Sequence, residues 1–168
     1  MSVPKRHDSA VARADSPASS RLAPGDLYRR DLYTWALEQA AALRAGELDR
    51  LDLTNLAEEI EDLGSEQLHK LTSAYRIILL HMLKWDHQPE RRSRSWVASI
   101  RSQRVQASDV LEDNQGLKSR RGDALARAYR RARIEAVGET GLGEDVFPTE
   151  CPYSLEEIMT REFVWPPQ

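Results

Sequence analysis

The stretch LTNLAEEIEDLGSEQLHKLTSAYRIILLHMLKWDH, residues 53–87, decides the fold. Leu56, Ile60, Leu63, Leu71, Tyr75, Ile78, Met82 and Trp85 recur at helical spacing, and no proline interrupts before Pro89. Apolar residues at such intervals form one stripe along an α-helix. Unbroken, a helix starting near Asp52 or Thr54 and ending near residue 87 is roughly 50 Å long at 1.5 Å per residue. Gly64-Ser65 is the one place where it is expected to kink or break. From Ile77 to Leu83 every residue except His81 is apolar. A helix that is apolar all round belongs in the interior, so this segment is predicted to be central and buried.

Outward from this helix the chain reads as further helices. Before it, Tyr28, Leu32, Trp35, Ala36, Ala40 and Leu43 keep a helical period with a polar gap at Gln39. Asp26 is the expected cap at the start, and Gly46 the expected left-handed stop. After it, Ser93 or Ser95 opens a third helix carrying Trp96, Ile100, Ala107, Val110 and Leu111, up to the turn at Asn114-Gln115-Gly116. A fourth carries Leu117, Leu125, Ala128, Tyr129, Ala132 and Ala136, and its small residues allow close approach to a neighbour; Gly138, Gly141 and Gly143 close it. Ser154-Leu155-Glu156-Glu157 has the form of a capping box. It predicts a short last helix over 155–162, with Phe163 and Trp165 packing back. Residues 1–25, rich in Ala, Ser, Pro and Arg, show no period and read as a disordered tail. The expected architecture is an all-α bundle of four to five helices with a long central second helix, forming one domain over 26–168.

Length and composition agree. A chain of 168 residues, 40% hydrophobic and 30% charged, can bury roughly 70% of its unfolded surface. That excludes disorder throughout and a fibrous repeat. The longest purely apolar run is Ile77–Leu80, far short of the ~20 residues of a membrane span. The single cysteine, Cys151, excludes an intrachain disulfide and fits a reducing cytosol. The net charge of −3 conceals a partition: residues 47–66 carry eight acids and one base, residues 91–133 twelve bases and four acids, residues 134–168 eight acids and one base. Opposite blocks in one small domain are expected to pair on neighbouring elements, or to leave a basic binding face.

Three motifs carry a resemblance. The first is Leu56-Ala57-Glu58-Glu59-Ile60-Glu61-Asp62-Leu63-Gly64. The second runs from His81 through Lys84-Trp85 and Gln88-Pro89-Glu90-Arg91-Arg92-Ser93-Arg94-Ser95-Trp96. The third joins Thr140-Gly141-Leu142, Phe147-Pro148 and Cys151-Pro152-Tyr153-Ser154. Together they resemble a bacterial family known as "domain of unknown function twenty-nine", frequent in cyanobacteria and proteobacteria, over about residues 27–165. The resemblance implies an all-helical fold and a bacterial cytosolic protein. It implies no particular activity.

Candidate chemistry is sparse. A di-iron bundle needs two Glu-x-x-His units, and only Glu66 to His69 is present. His69 and His81 lie roughly 18 Å apart along one helix, so they cannot share an ion. No metal or cofactor is expected. His81, in its apolar turn, is either a satisfied core residue or a general base. Glu59 and Glu61 flank the stripe of the second helix. Arg91, Arg92 and Arg94, beside Trp85 and Trp96, have the fork geometry that grips carboxylate or phosphate. Glu59, Glu61, His81, Trp85, Arg91, Arg92, Arg94 and Trp96 therefore form the candidate polar-core or anion-binding cluster. It requires the chain to fold back at Gly64-Ser65, because Glu59 is otherwise far from the 88–92 turn. Cys151 has no visible activator and is a poor nucleophile. The favoured reading is a protein–protein interaction module, with self-association as a homodimer one form of it. The alternatives are a nucleic-acid-binding or antitoxin-like regulator using the basic third and fourth helices, and an enzyme with a polar pocket around His81.

Overall fold

The computed structural model describes residues 24–165. The expected tail lies outside the described residues, except that Pro24 and Gly25 already open a helix. Among the described residues there are six α-helices and no strand: α1 Pro24–Arg30, α2 Leu32–Ala45, α3 Leu53–His87, α4 Arg94–Asp113, α5 Arg121–Thr140 and α6 Leu155–Thr160. Short 3₁₀ turns join them. None of these helices is long and apolar enough to cross a membrane. The chain divides into two compact units, one ending at Leu56 and one starting at Ala57.

In the first unit the expected opening helix is two. Asp26 lies inside α1, and the cap is Asp31, whose carboxylate accepts from the Thr34 N–H at 3.0 Å and from the Thr34 hydroxyl at 2.6 Å. A short acceptor side chain in non-helical backbone that takes the N–H three residues on separates one helix from the next. Gly46 closes α2 at φ 72°, as expected of glycine. The polar gap at Gln39 is a buried hinge point: its side-chain oxygen accepts from the Asp52 N–H at 2.7 Å. The Trp35 indole donates to the Asp52 carboxylate at 3.3 Å, and Tyr28 packs edge-on against Trp35 at 4.9 Å. Asp52 in turn accepts from the Asn55 N–H and side-chain amide, so it caps α3.

The second unit is built on α3. Leu71, Ala74, Tyr75, Ile78, Leu79, Met82 and Leu83 are fully buried. Burying each large one contributes about 1.5–3 kcal/mol. α4 covers them with Val97, Ile100, Ala107 and Val110. α5 presents Ala124, Ala128, Tyr129, Ala132 and Ala136. Ser93 caps α4 by accepting from the Trp96 N–H. α5 runs on through Gly138 and stops only at Gly141, φ 72°.

The segment after α5 is an arm held down by side chains of the helices. Arg133 donates to the carbonyls of Phe147 and Glu144. The Tyr129 hydroxyl donates to the Pro148 carbonyl, and Arg104 to those of Ile158 and Glu157. Phe147, Tyr153, Ile158 and Phe163 bury themselves beneath it. The capping box at Ser154 and Glu157 is formed in full. Phe163 packs edge-on against Trp85 at 5.4 Å, but Trp165, expected to pack back, remains 38% exposed.

α3 does not break at Gly64-Ser65. Gly64 sits in helical backbone with open space where a Cβ would be, so it carries only the entropic cost of glycine. Gly64→Ala is therefore expected to stabilise the protein by about 0.5–1 kcal/mol, read as an increase in the urea midpoint at unchanged slope. A loss of stability would mean that the helix needs a bend there.

Candidate functional site

The unbroken α3 decides the fate of the sequence-predicted cluster. Glu59 and Glu61 lie about 33 and 30 Å from His81 along the helix axis at 1.5 Å per residue. The cluster is corrected accordingly: the two acids do not join the others, because the chain does not fold back at Gly64-Ser65. Arg91 and Arg94 are exposed and make no ion pair among the described residues. His81, Trp85, Arg92 and Trp96 do come together. The Arg92 Nε donates to the Trp85 carbonyl at 2.9 Å, and its guanidinium lies 4.9 Å from that indole. The His81 ring sits 6.3 Å from Trp96.

Two partners of this group came without a sequence signal. Lys84 is buried; its ammonium lies 4.7 Å from the Trp96 ring and donates to Glu139 of α5 at 2.5 Å. Two residues on, Asp86 accepts from the Tyr153 hydroxyl at 2.7 Å and from both Nη atoms of Arg161 at 2.8 and 2.6 Å. The hydrogen bonds to Glu139, Tyr153 and Arg161 join residues more than fifty positions apart, which no local pattern can announce.

The electrostatics follow from burial and pairing. Burial pushes the His81 imidazole below its ordinary pKa, the Lys84 charge adds to this, and Glu139 opposes it. Its Nδ1 is buried with no hydrogen-bond partner among the described residues. Burial alone would raise the Asp86 carboxyl. The hydrogen bonds from Arg161 and Tyr153 outweigh that and hold it below the usual carboxylate range. Burial, and then donation to the Asp86 carboxylate, push the Tyr153 hydroxyl far up. Burial also raises the Cys151 thiol, so it is held as the unreactive neutral form. Among the described residues no three His, Cys, Asp or Glu side chains gather where they could hold a metal ion.

Two surface features complete the inventory. On the N-terminal half of α3, Leu53, Ile60 and Leu63 are 67, 66 and 63% exposed. With Leu56, half-buried, they are spaced three, four and three residues apart. On the other half, an open cleft of about 520 Å³ separates α3 from α5. It is lined by His69, Ser73 and Arg76 on one side and by Arg127, Arg130 and Arg131 on the other, with Thr72 at its floor.

Both titrating groups make signed predictions. A lowered carboxylate pKa contributes stability that is present above the ordinary value of 3.8 and is lost as pH falls through the lowered one. Asp86→Asn is expected to cost about 2 kcal/mol at neutral pH and to flatten acid unfolding below pH ~4. A lowered imidazole pKa contributes stability that is present above 6.5 and declines as pH falls below it. His81→Gln is expected to remove that decline between pH ~6.5 and ~5. Denaturant titrations across pH check both; unchanged slopes in either variant would exclude that residue as the cause.

No curated protein and no solved structure matches the chain. One family model does, over residues 27–164, nearly all of the described chain. On that match the chain belongs to the family described as "Domain of unknown function DUF29".

Proposed function

We propose that this protein is a helical interaction module that associates with a second copy of itself through the N-terminal half of α3. The observation that carries the reading is the pair Ile60 and Leu63 of the second unit, 66 and 63% exposed and one helical turn apart on α3. Such a spacing keeps both on one face, as in a two-helix seam in which apolar side chains of one helix fill gaps between those of another. Large apolar side chains at such spacing on a solvated helix lose free energy until something covers them. Ile60 and Leu63 stand on the same helix and in the same unit as the buried residues Leu71–Leu83, so the two are held on the second unit's own scaffold. Rigid presentation lowers the entropic cost of docking.

The charges say how the two copies meet. The segment that carries the pair is acidic: Glu61 is exposed on its flank, Glu58 and Asp62 are exposed on the faces turned away from it, and none of the three makes an ion pair among the described residues. Two such helices repel one another through these acids while their apolar rows attract. Association is therefore expected to strengthen as salt screens the acids, opposite to the behaviour of a nucleic-acid contact, which salt weakens.

Light scattering on the size-fractionated protein tests this. A dimer that persists or tightens at high salt, and that Ile60→Glu with Leu63→Glu converts to a monomer, supports the reading. Both side chains are exposed, so the double variant is expected to unfold at the same temperature within a few degrees. A monomer at high concentration in both low and high salt overturns it.

A further inference from the structure

The cleft between α3 and α5 has a composition that the interaction surface does not explain. On α5, Arg127, Arg130 and Arg131 stand at positions i, i+3 and i+4, so their side chains share one flank of the helix. None of the three has an ion-pair or hydrogen-bond partner among the described residues. Other arginines of the basic segment are engaged: Arg92 on the Trp85 carbonyl, Arg104 and Arg133 on carbonyls of the arm, Arg120 on Asp123. Three unpaired guanidiniums side by side repel one another, and an anion between them removes that repulsion.

The opposite wall suits such an anion. His69, Ser73 and Arg76 stand at i, i+4 and i+7 of α3 and face the arginines across the cleft. The Arg76 charge is balanced by Glu135 at the end of the cleft. The Ser73 hydroxyl has no partner among the described residues and is exposed, so it is available to donate. Thr72 already donates to the Leu68 carbonyl at 2.8 Å, which leaves its lone pairs to accept. On the other side of Arg127 and Arg130 lies a second opening, but Asp123 and Glu150 line it and would repel an anion.

We infer that this cleft binds a small phosphate monoester, with Arg127, Arg130 and Arg131 gripping the phosphate dianion and Ser73 donating to it from α3. Guanidinium forks match phosphate oxygens two at a time, which is why arginine rather than lysine suits the task. A volume of about 520 Å³ is within the range of sites for small organic ligands. The cleft has room beside the phosphate for an organic body, and the imidazole of His69 and the Thr72 oxygen are what that body would meet. This inference rests on the cleft alone and stands whether or not the protein dimerises.

Calorimetric titration and thermal unfolding test it, with inorganic phosphate, adenosine 5′-monophosphate, adenosine without phosphate, and a single-stranded oligonucleotide as probes. The expected result is saturable one-to-one binding of the monophosphate, weaker binding of inorganic phosphate and none of adenosine. Arg130→Gln with Arg131→Gln is expected to weaken binding at least about tenfold, and Ser73→Ala to weaken it less. Arg94→Gln, an exposed arginine outside the cleft, is expected to leave it unchanged. No heat and no stabilisation from phosphate or the monophosphate at ~10 mM would overturn the proposal, as a site this charged is expected to give a measurable shift there. Equal binding by the double variant, or binding of the oligonucleotide alone, overturns it as well; the latter would make the arginines a nucleic-acid backbone contact.

Discussion

A helix that is apolar on every side from Ile77 to Leu83 cannot stand at a surface, and the rest of the second unit follows from that constraint. Ile78, Leu79, Met82 and Leu83 point in different directions around α3, and all are fully buried. One neighbouring helix covers only one side. α4 and α5 supply two, and the remainder is closed by the arm carrying Phe147, Tyr153, Ile158 and Phe163. The arm has little regular structure of its own, so its backbone groups need partners from elsewhere. Arg104, Arg133 and Tyr129 provide them by donating to its carbonyls. The basic character of α4 and α5 is thus in part a structural requirement: long cationic side chains reach the backbone of a loop that must lie over an apolar helix.

The same logic explains where polar groups enter the interior. Lys84 and Asp86 sit at the end of the apolar segment, where α3 leaves the core. A buried ammonium is costly unless paired, and Glu139 pairs it while the Trp96 face lies against it. Asp86 gathers Arg161 and Tyr153 from the arm, tying the chain's last part to the end of its central helix. The opposite charge blocks of the sequence do pair, but selectively. Arg76 meets Glu135, Lys84 meets Glu139 and Arg133 meets Glu144, while Arg127, Arg130 and Arg131 are left to solvent.

How much of this could be read from residues alone depended on the range of the signal. The core of α3, the Ser93 and Gly46 caps, and the capping box at Ser154 are local patterns, and each was legible. Asp26 misled because Asp31, five residues later, is an equally good cap and has Thr34 at the right distance to accept from. The stripe through Ile60 and Leu63 was legible as helix, but not as exposed surface: periodicity reports a shared face and says nothing of whether a neighbour covers it. The candidate cluster failed at one joint. Glycine weakens helices, which makes Gly64 a natural place for a break, yet α3 continues through it. That single outcome removes Glu59 and Glu61 from His81. Asp86, Tyr153 and Arg161 had no sequence signal, since nothing local links positions so far apart.

The cleft shows how core packing sets a surface site. The inner face of α5 carries Ala124, Ala128, Ala132 and Ala136, all buried in the core that α3 centres, and side chains this small take little space between neighbouring helices. Arg127 and Arg131 each stand one residue before Ala128 and Ala132, about 100° round the helix, so they fall on the flank of that inner face. Arg127, Arg130 and Arg131, exposed to solvent, line the cleft opposite Ser73 and Arg76. Larger residues on the inner face would separate the helices and open the cleft beyond the reach of a single small anion. In this protein the residues that fix the width of the cleft are therefore the ones with the least chemistry, and the sequence pattern to look for is an alanine row on one face with a run of arginines beside it.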